Sequence, residues 1–97
     1  MYQKFIINQE RLKLAIVDQH RYIAEDHSTT RGGGWWHMDV SSRKIWLYGR
    51  SIEFGRVTVE LLTRIIRNGN HDYPDFTFLF STSERLDDAL LTARVVG

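Results

Sequence analysis

Apolar and polar positions change period along this chain in a way that lays out most of its elements. Tyr2 to Ile7 and Leu12 to Val17 are short runs of strand character, with Leu12, Leu14 and Ile16 alternating with Lys13 and Ala15, and the polar Asn8-Gln9-Glu10 between them makes a hairpin. Trp35 to Val40 and Lys44 to Tyr48 flank Ser41-Ser42 and predict a second hairpin, with Ile45 and Leu47 on one face and Trp46 and Tyr48 on the other. A strand apolar on both faces belongs in the middle of a covered sheet. From Val57 the spacing turns helical, with Leu61, Leu62, Ile65 and Ile66 on one stripe and Asn68-Gly69 as the stop. Phe76, Phe78 and Phe80 alternate as a further strand. Leu86, Ala89, Leu90 and Ala93 form the stripe of a final helix, with Ser81 and Glu84 spaced for a capping box. Between the hairpins, Asp18 is placed to cap a short helix from Gln19 to Glu25, and Ser28 to Gly34 reads as a polar, glycine-rich loop.

Strands and helices interspersed over 97 residues predict one compact α+β domain spanning 1–97, a mixed sheet of about five or six strands flanked by helices, with an added C-terminal helix. That size excludes a large cofactor-binding fold. A net charge of +1 gives no global attraction to nucleic acid or to an anionic membrane, so an anion site has to be a local cluster, and neither is expected as a partner. The absence of cysteine removes disulfides, thiolate-ligated zinc and a thiolate nucleophile from consideration. The apolar run from Met1 to Ile7 is too short for a signal peptide, and no stretch approaches the roughly 18 apolar residues of a membrane span. A soluble cytoplasmic protein is expected.

His20 falls in the first turn of the short helix, where the positive end of the helix disfavours imidazolium and keeps the ring neutral, the state a general base requires; a lone surface or core histidine is the plainer reading. Lys4 in the first strand is either a solvated edge lysine or a point charge for an anion. Tyr48-Gly49-Arg50-Ser51-Ile52-Glu53-Phe54-Gly55 joins a strand to a helix, a junction that offers successive N–H groups to an anion, although Gly-x-Ser alone fits an ordinary turn as well. Gly32 to Gly34 read better as room for backbone to pack against a ring than as a phosphate contact. Trp35, Trp36 and Trp46 fit the core or a groove wall. His27, His37 and His71 show no metal-ligand spacing and Asp72 and Asp75 surround a turn, so no metal and no cofactor are expected.

Taken together, Gly32-Gly33-Gly34, Lys44-Ile45-Trp46-Leu47-Tyr48-Gly49-Arg50-Ser51, Phe54-Gly55 and Tyr73-Pro74-Asp75-Phe76 resemble the Janus/Ocnus family of small phosphohistidine phosphatases. The resemblance implies a metal-independent hydrolase acting on the P–N bond of a phosphohistidine-bearing protein or a small phosphoramidate. It implies that His20, in the segment that occupies the catalytic place upstream of the glycines, is catalytic, as a general base or as a transient nucleophile. It also implies that Lys4 lies near the phosphate and that the backbone of Ser51, Ile52 and Glu53 holds it, with Arg50 as a helper. Three features depart from the family: the segment from His20 to Gly32 is shorter than in animal members, Trp35 stands where some members have a phosphate-binding arginine, and Glu53 brings a carboxylate beside the cradle. For the cradle to hold phosphate, Glu53 is expected to turn to solvent or to pair with Arg50 or Arg56. The alternatives are a non-catalytic phosphate or phosphohistidine binding module, which Trp35 and Glu53 favour, and a partner-binding domain with a vestigial site. The last helix, from about Glu84, extends beyond the typical family domain and either covers a sheet face or serves self-association.

Overall fold

The period-2 segments become strands of a single sheet. A computed structural model describes residues 2–24 and 27–97. Strands β1 (Tyr2–Asn8) and β2 (Arg11–Val17) form the first hairpin, and β3 (Thr30–Asp39) and β4 (Lys44–Tyr48) the second. Helix α1 (Val59–Arg67), β5 (Thr77–Phe80), α2 (Leu86–Thr92) and β6 (Arg94–Val96) complete the chain. The strand order is β2-β1-β3-β4-β5-β6, antiparallel throughout except for the parallel pair β4 and β5, whose crossover carries α1. The fold is thus α+β with a six-stranded mixed sheet. Among the described residues no helix is long and apolar enough to cross a membrane.

One sheet face carries Phe5, Ile7, Leu12, Ile45, Leu47, Phe78 and Phe80, which join Leu62 and Ile65 of α1 in the core. Helix α1 forms because its apolar stripe meets this face, and the Thr58 hydroxyl accepts from the Leu61 N–H to cap its start. Gly69, at a φ of 72°, ends it in the left-handed region that glycine tolerates. On the opposite face, a single 3₁₀ turn (His20–Tyr22) packs against β1. There Ile6 is fully buried, while the buried Asn8 gives an amide hydrogen to the Thr30 hydroxyl at 2.8 Å.

Several local expectations are corrected. The short helix is this 3₁₀ turn, capped from Gln19 with no side-chain bond, so Asp18 does not cap it; Glu25, the expected end, lies outside the described residues. Ser28 to Gly34 is not one loop. A second 3₁₀ turn (His27–Thr29) leads into β3, and the three glycines are part of that strand. Their lack of side chains is what permits the pairing: a Cβ on Gly33 would stand 2.4 Å from the Phe5 carbonyl oxygen, and one on Gly34 would stand 2.3 Å from that of Tyr48. Helix α1 starts at Val59 rather than at Val57, because Thr58 caps it. The Ser81 to Glu84 capping box does not form, since the Ser81 hydroxyl bonds Thr92 Oγ1 at 2.8 Å and accepts from the Ser83 N–H, and α2 starts from Arg85 instead. Helix α2 stops at Thr92, and β6 then adds an edge strand that pairs Val96 with Phe78.

Candidate functional site

The second sheet face gathers residues far apart in the chain. Ile6 pairs with Gly33 and Lys4 with Trp35 across β1 and β3, so alternation points Lys4, Ile6, Gly33 and Trp35 to the same side. The 3₁₀ turn lays the His20 ring over Gly33, whose added Cβ would come 3.1 Å from His20 Cδ2. The glycine run therefore packs backbone against a ring, as its composition suggests, and the ring is that of His20.

His20 is buried, 5% exposed, and its Nε2 lies 2.8 Å from the Gly34 carbonyl oxygen. A carbonyl only accepts, so Nε2 carries the hydrogen and the lone pair of a neutral ring resides on Nδ1. Burial pushes the pKa of His20 below the ordinary histidine value. The Gly34 bond opposes that shift, the Lys4 charge adds to it, and the Glu53 carboxylate opposes it. The ring is thus neutral near pH 7 as expected, but through desolvation, because a three-residue 3₁₀ turn has almost no dipole to exert.

Lys4, Gln19, His20, Arg50, Ile52 and Glu53 line one open cleft of about 490 Å³. Four of the five residues named from the sequence meet there, with Arg50 beside them. Lys4 Nζ donates to the Asp18 carbonyl at 2.5 Å, which holds its ammonium beside the 3₁₀ turn with donors to spare. Gln19 was not legible as a site residue; its position next to His20 is the one signal that could have found it.

Ser51 lines an adjoining depression instead and has a different task. It is 1% exposed and locks a five-residue turn: its N–H donates to the Gly55 carbonyl at 3.1 Å, its carbonyl accepts from the Gly55 N–H at 2.8 Å, and its hydroxyl accepts from the Phe54 N–H at 3.1 Å. The segment is therefore not a helix start, since α1 begins only after Thr58, and the Ser51 amide is committed within the turn. The turn thrusts Ile52 outward, 98% exposed, and among the described residues no acceptor takes the Ile52 N–H. Arg50 pairs with Glu84 at 2.7 Å rather than with Glu53. Glu53 is exposed, yet it borders the cleft closely enough for its charge to act on His20.

A larger depression of about 530 Å³ lies at the start of α1, lined by Arg31, Thr58, Glu60, Leu61 and Arg64. Its arginines both pair with Glu10, Arg31 at 3.2 Å and Arg64 at 2.7 Å, and with Glu60 in the lining two carboxylates balance the two guanidiniums. The smaller cleft at His20 instead brings a buried neutral imidazole beside the Lys4 ammonium. No group of three or more metal-ligating side chains gathers among the described residues.

No protein-family model matches this chain, and neither a curated protein nor a solved structure matches it.

Proposed function

We propose that the chain is a metal-independent phosphohistidine phosphatase of the Janus/Ocnus type, acting on a phosphohistidine-bearing protein or a small phosphoramidate. The observation that carries the reading is that a buried histidine, its pKa depressed, meets Lys4, Ile52 and Glu53 in one cleft, although these residues lie far apart in sequence. Both the Tyr48 to Gly55 motif and the glycine run border that histidine, and the resemblance places the phosphate cradle in the first of them.

In the proposed reaction, water attacks phosphorus in line, a P–O bond forms and the P–N bond breaks. His20 Nδ1 takes a proton from the attacking water, the departing nitrogen of the substrate takes one from solvent, and His20 then returns its proton to solvent. Lys4 and the exposed Ile52 N–H balance charge on the phosphoryl oxygens. The P–N bond is labile enough for positioning and charge balance to suffice. A covalent variant, in which His20 Nδ1 attacks phosphorus itself, uses the same lone pair and predicts a phospho-His20 intermediate that rapid-quench labelling would detect.

The second reading is a binding module that holds phosphohistidine without turnover. Glu53 favours it, because its carboxylate borders the cleft where a phosphoryl dianion would sit. Hydrolysis of a phosphohistidine peptide with and without chelator separates the two. Chelator-insensitive release of phosphate supports the enzyme; saturable binding of the peptide without release supports the module.

A further inference from the structure

We infer that Trp35 is the wall against which the leaving group of the substrate stacks, so that the site selects a planar aromatic amine, the imidazole of phosphohistidine, over a phosphoramidate without a ring. The inference rests on the reading of the His20 cleft as a phosphoryl site.

Trp35 follows Gly33 by two positions on β3, and successive residues on one face of a strand are about 7 Å apart. Because His20 sits on Gly33, the His20 ring and the Trp35 indole lie over the same face of β3. In an in-line displacement the leaving nitrogen lies opposite the attacking water. With His20 on the water side, a ring attached to that nitrogen extends away from His20, and on β3 that direction leads to Trp35.

The indole is also held in place. Tyr48 meets it edge to face at a centroid distance of 5.9 Å, and Gly49 passes beneath, where even an added Cβ would come only to 3.7 Å from the ring. This fixed ring remains 37% exposed. It lines a depression of about 190 Å³ together with Arg50, Ile52 and Glu84, and Arg50 and Ile52 also line the His20 cleft. The two hollows thus share a wall: one offers a cation, a neutral imidazole and a main-chain donor, the other an aromatic face. The Arg50 to Glu84 ion pair closes the far side of the aromatic hollow and neutralises the arginine next to it. A neutral ring suits that hollow better than a second phosphate does.

The test measures binding and turnover separately. Calorimetry compares inorganic phosphate with a short peptide bearing a triazolylphosphonate mimic of phosphohistidine, on the wild type, Trp35→Ala and Trp35→Phe; kinetics compares phosphoramidate with a phosphohistidine peptide. Trp35→Ala is expected to weaken the mimic and raise KM for the peptide about tenfold, with phosphate affinity and phosphoramidate turnover unchanged, and Trp35→Phe to recover most of the loss. Equal losses for ringed and ringless probes, or no loss for either, would overturn the inference. If neither substrate is hydrolysed while Trp35→Ala still weakens the mimic alone, the phosphatase reading fails and the aromatic wall stands.

Discussion

The Nε2 of His20 donates to the carbonyl oxygen of Gly34 at 2.8 Å, and this one bond decides which nitrogen can do chemistry. Glutamine at position 20 can present an amide hydrogen to the same carbonyl while lacking a basic nitrogen. His20→Gln is therefore expected to fold and to lose about a hundredfold or more in turnover, the usual loss on removing a general base. Unchanged turnover in the folded variant would move the chemistry elsewhere. His37→Ala, on β3 and in contact with Trp46, is the control and should be mild.

The depressed pKa of His20 also links stability to pH. Above the ordinary value of 6.5 the ring is neutral in both the folded and the unfolded chain, and it adds no pH dependence. As pH falls below 6.5 the unfolded chain takes up the proton first, so unfolding becomes easier until the folded ring is protonated as well. His71 is shifted in the same direction, chiefly by burial and then by the Arg11 charge, and acts with it. Chemical denaturation should show the wild type less stable at pH 5.5 than at pH 7.5, with a smaller decline in His20→Gln. An identical decline in both would mean that His20 is not shifted.

Gly33→Ala tests the seat of the histidine. The new Cβ would overlap the Phe5 carbonyl at 2.4 Å and crowd His20 Cδ2 at 3.1 Å, and neither the sheet backbone nor the buried ring can step aside freely. A loss of about 1–3 kcal/mol is expected, as for other overpacked interiors, together with reduced turnover as His20 is displaced. Gly55→Ala meets nothing within 4 Å but must hold a φ of 81°, so it should lose about 1–2 kcal/mol from backbone strain without this packing conflict. Denaturation and turnover measured on both variants separate the two causes.

Replacing Ser51 should act through the turn. Ser51→Ala removes the acceptor for the Phe54 N–H, worth about 1 kcal/mol. Ser51→Pro removes in addition the N–H that reaches the Gly55 carbonyl, and should be the more damaging by both melting temperature and activity. Equal effects would mean that the amide does not matter.

How much of this was legible in the sequence depends on the length of each signal. The two hairpins and α1 were readable because at least two turns or several alternations repeat the same pattern. Strand β6 was not: three residues carry no period, and Ala93 beside them extends the stripe of α2. Gly32 to Gly34 look like a loop because turn propensity is local, whereas what makes them strand is the neighbouring backbone and the His20 ring, which no local rule encodes. Motif and order named His20, Lys4, Ile52 and Glu53 together, and the fold brings these four to one cleft. That Ser51 spends its amide inside a turn, and that Arg50 chooses Glu84 over Glu53, are tertiary facts.

Glu53 separates a working site from a blocked one. Its carboxylate is exposed, and water weakens an exposed charge to about 1 kcal/mol at close range. Glu53→Ala should therefore change phosphohistidine turnover by less than about tenfold. An increase of several orders of magnitude would mean that the native side chain closes the cleft, which belongs to a binding or regulatory domain.

The most direct measurement is the time course of inorganic phosphate release from a phosphohistidine peptide, corrected for spontaneous hydrolysis, by wild type and by His20→Gln in the presence of chelator. Release by the wild type that chelator leaves intact and His20→Gln reduces by about a hundredfold is the expected result. A wild type no faster than the spontaneous reaction, or a His20→Gln variant as fast as the wild type, would contradict a phosphatase built on His20.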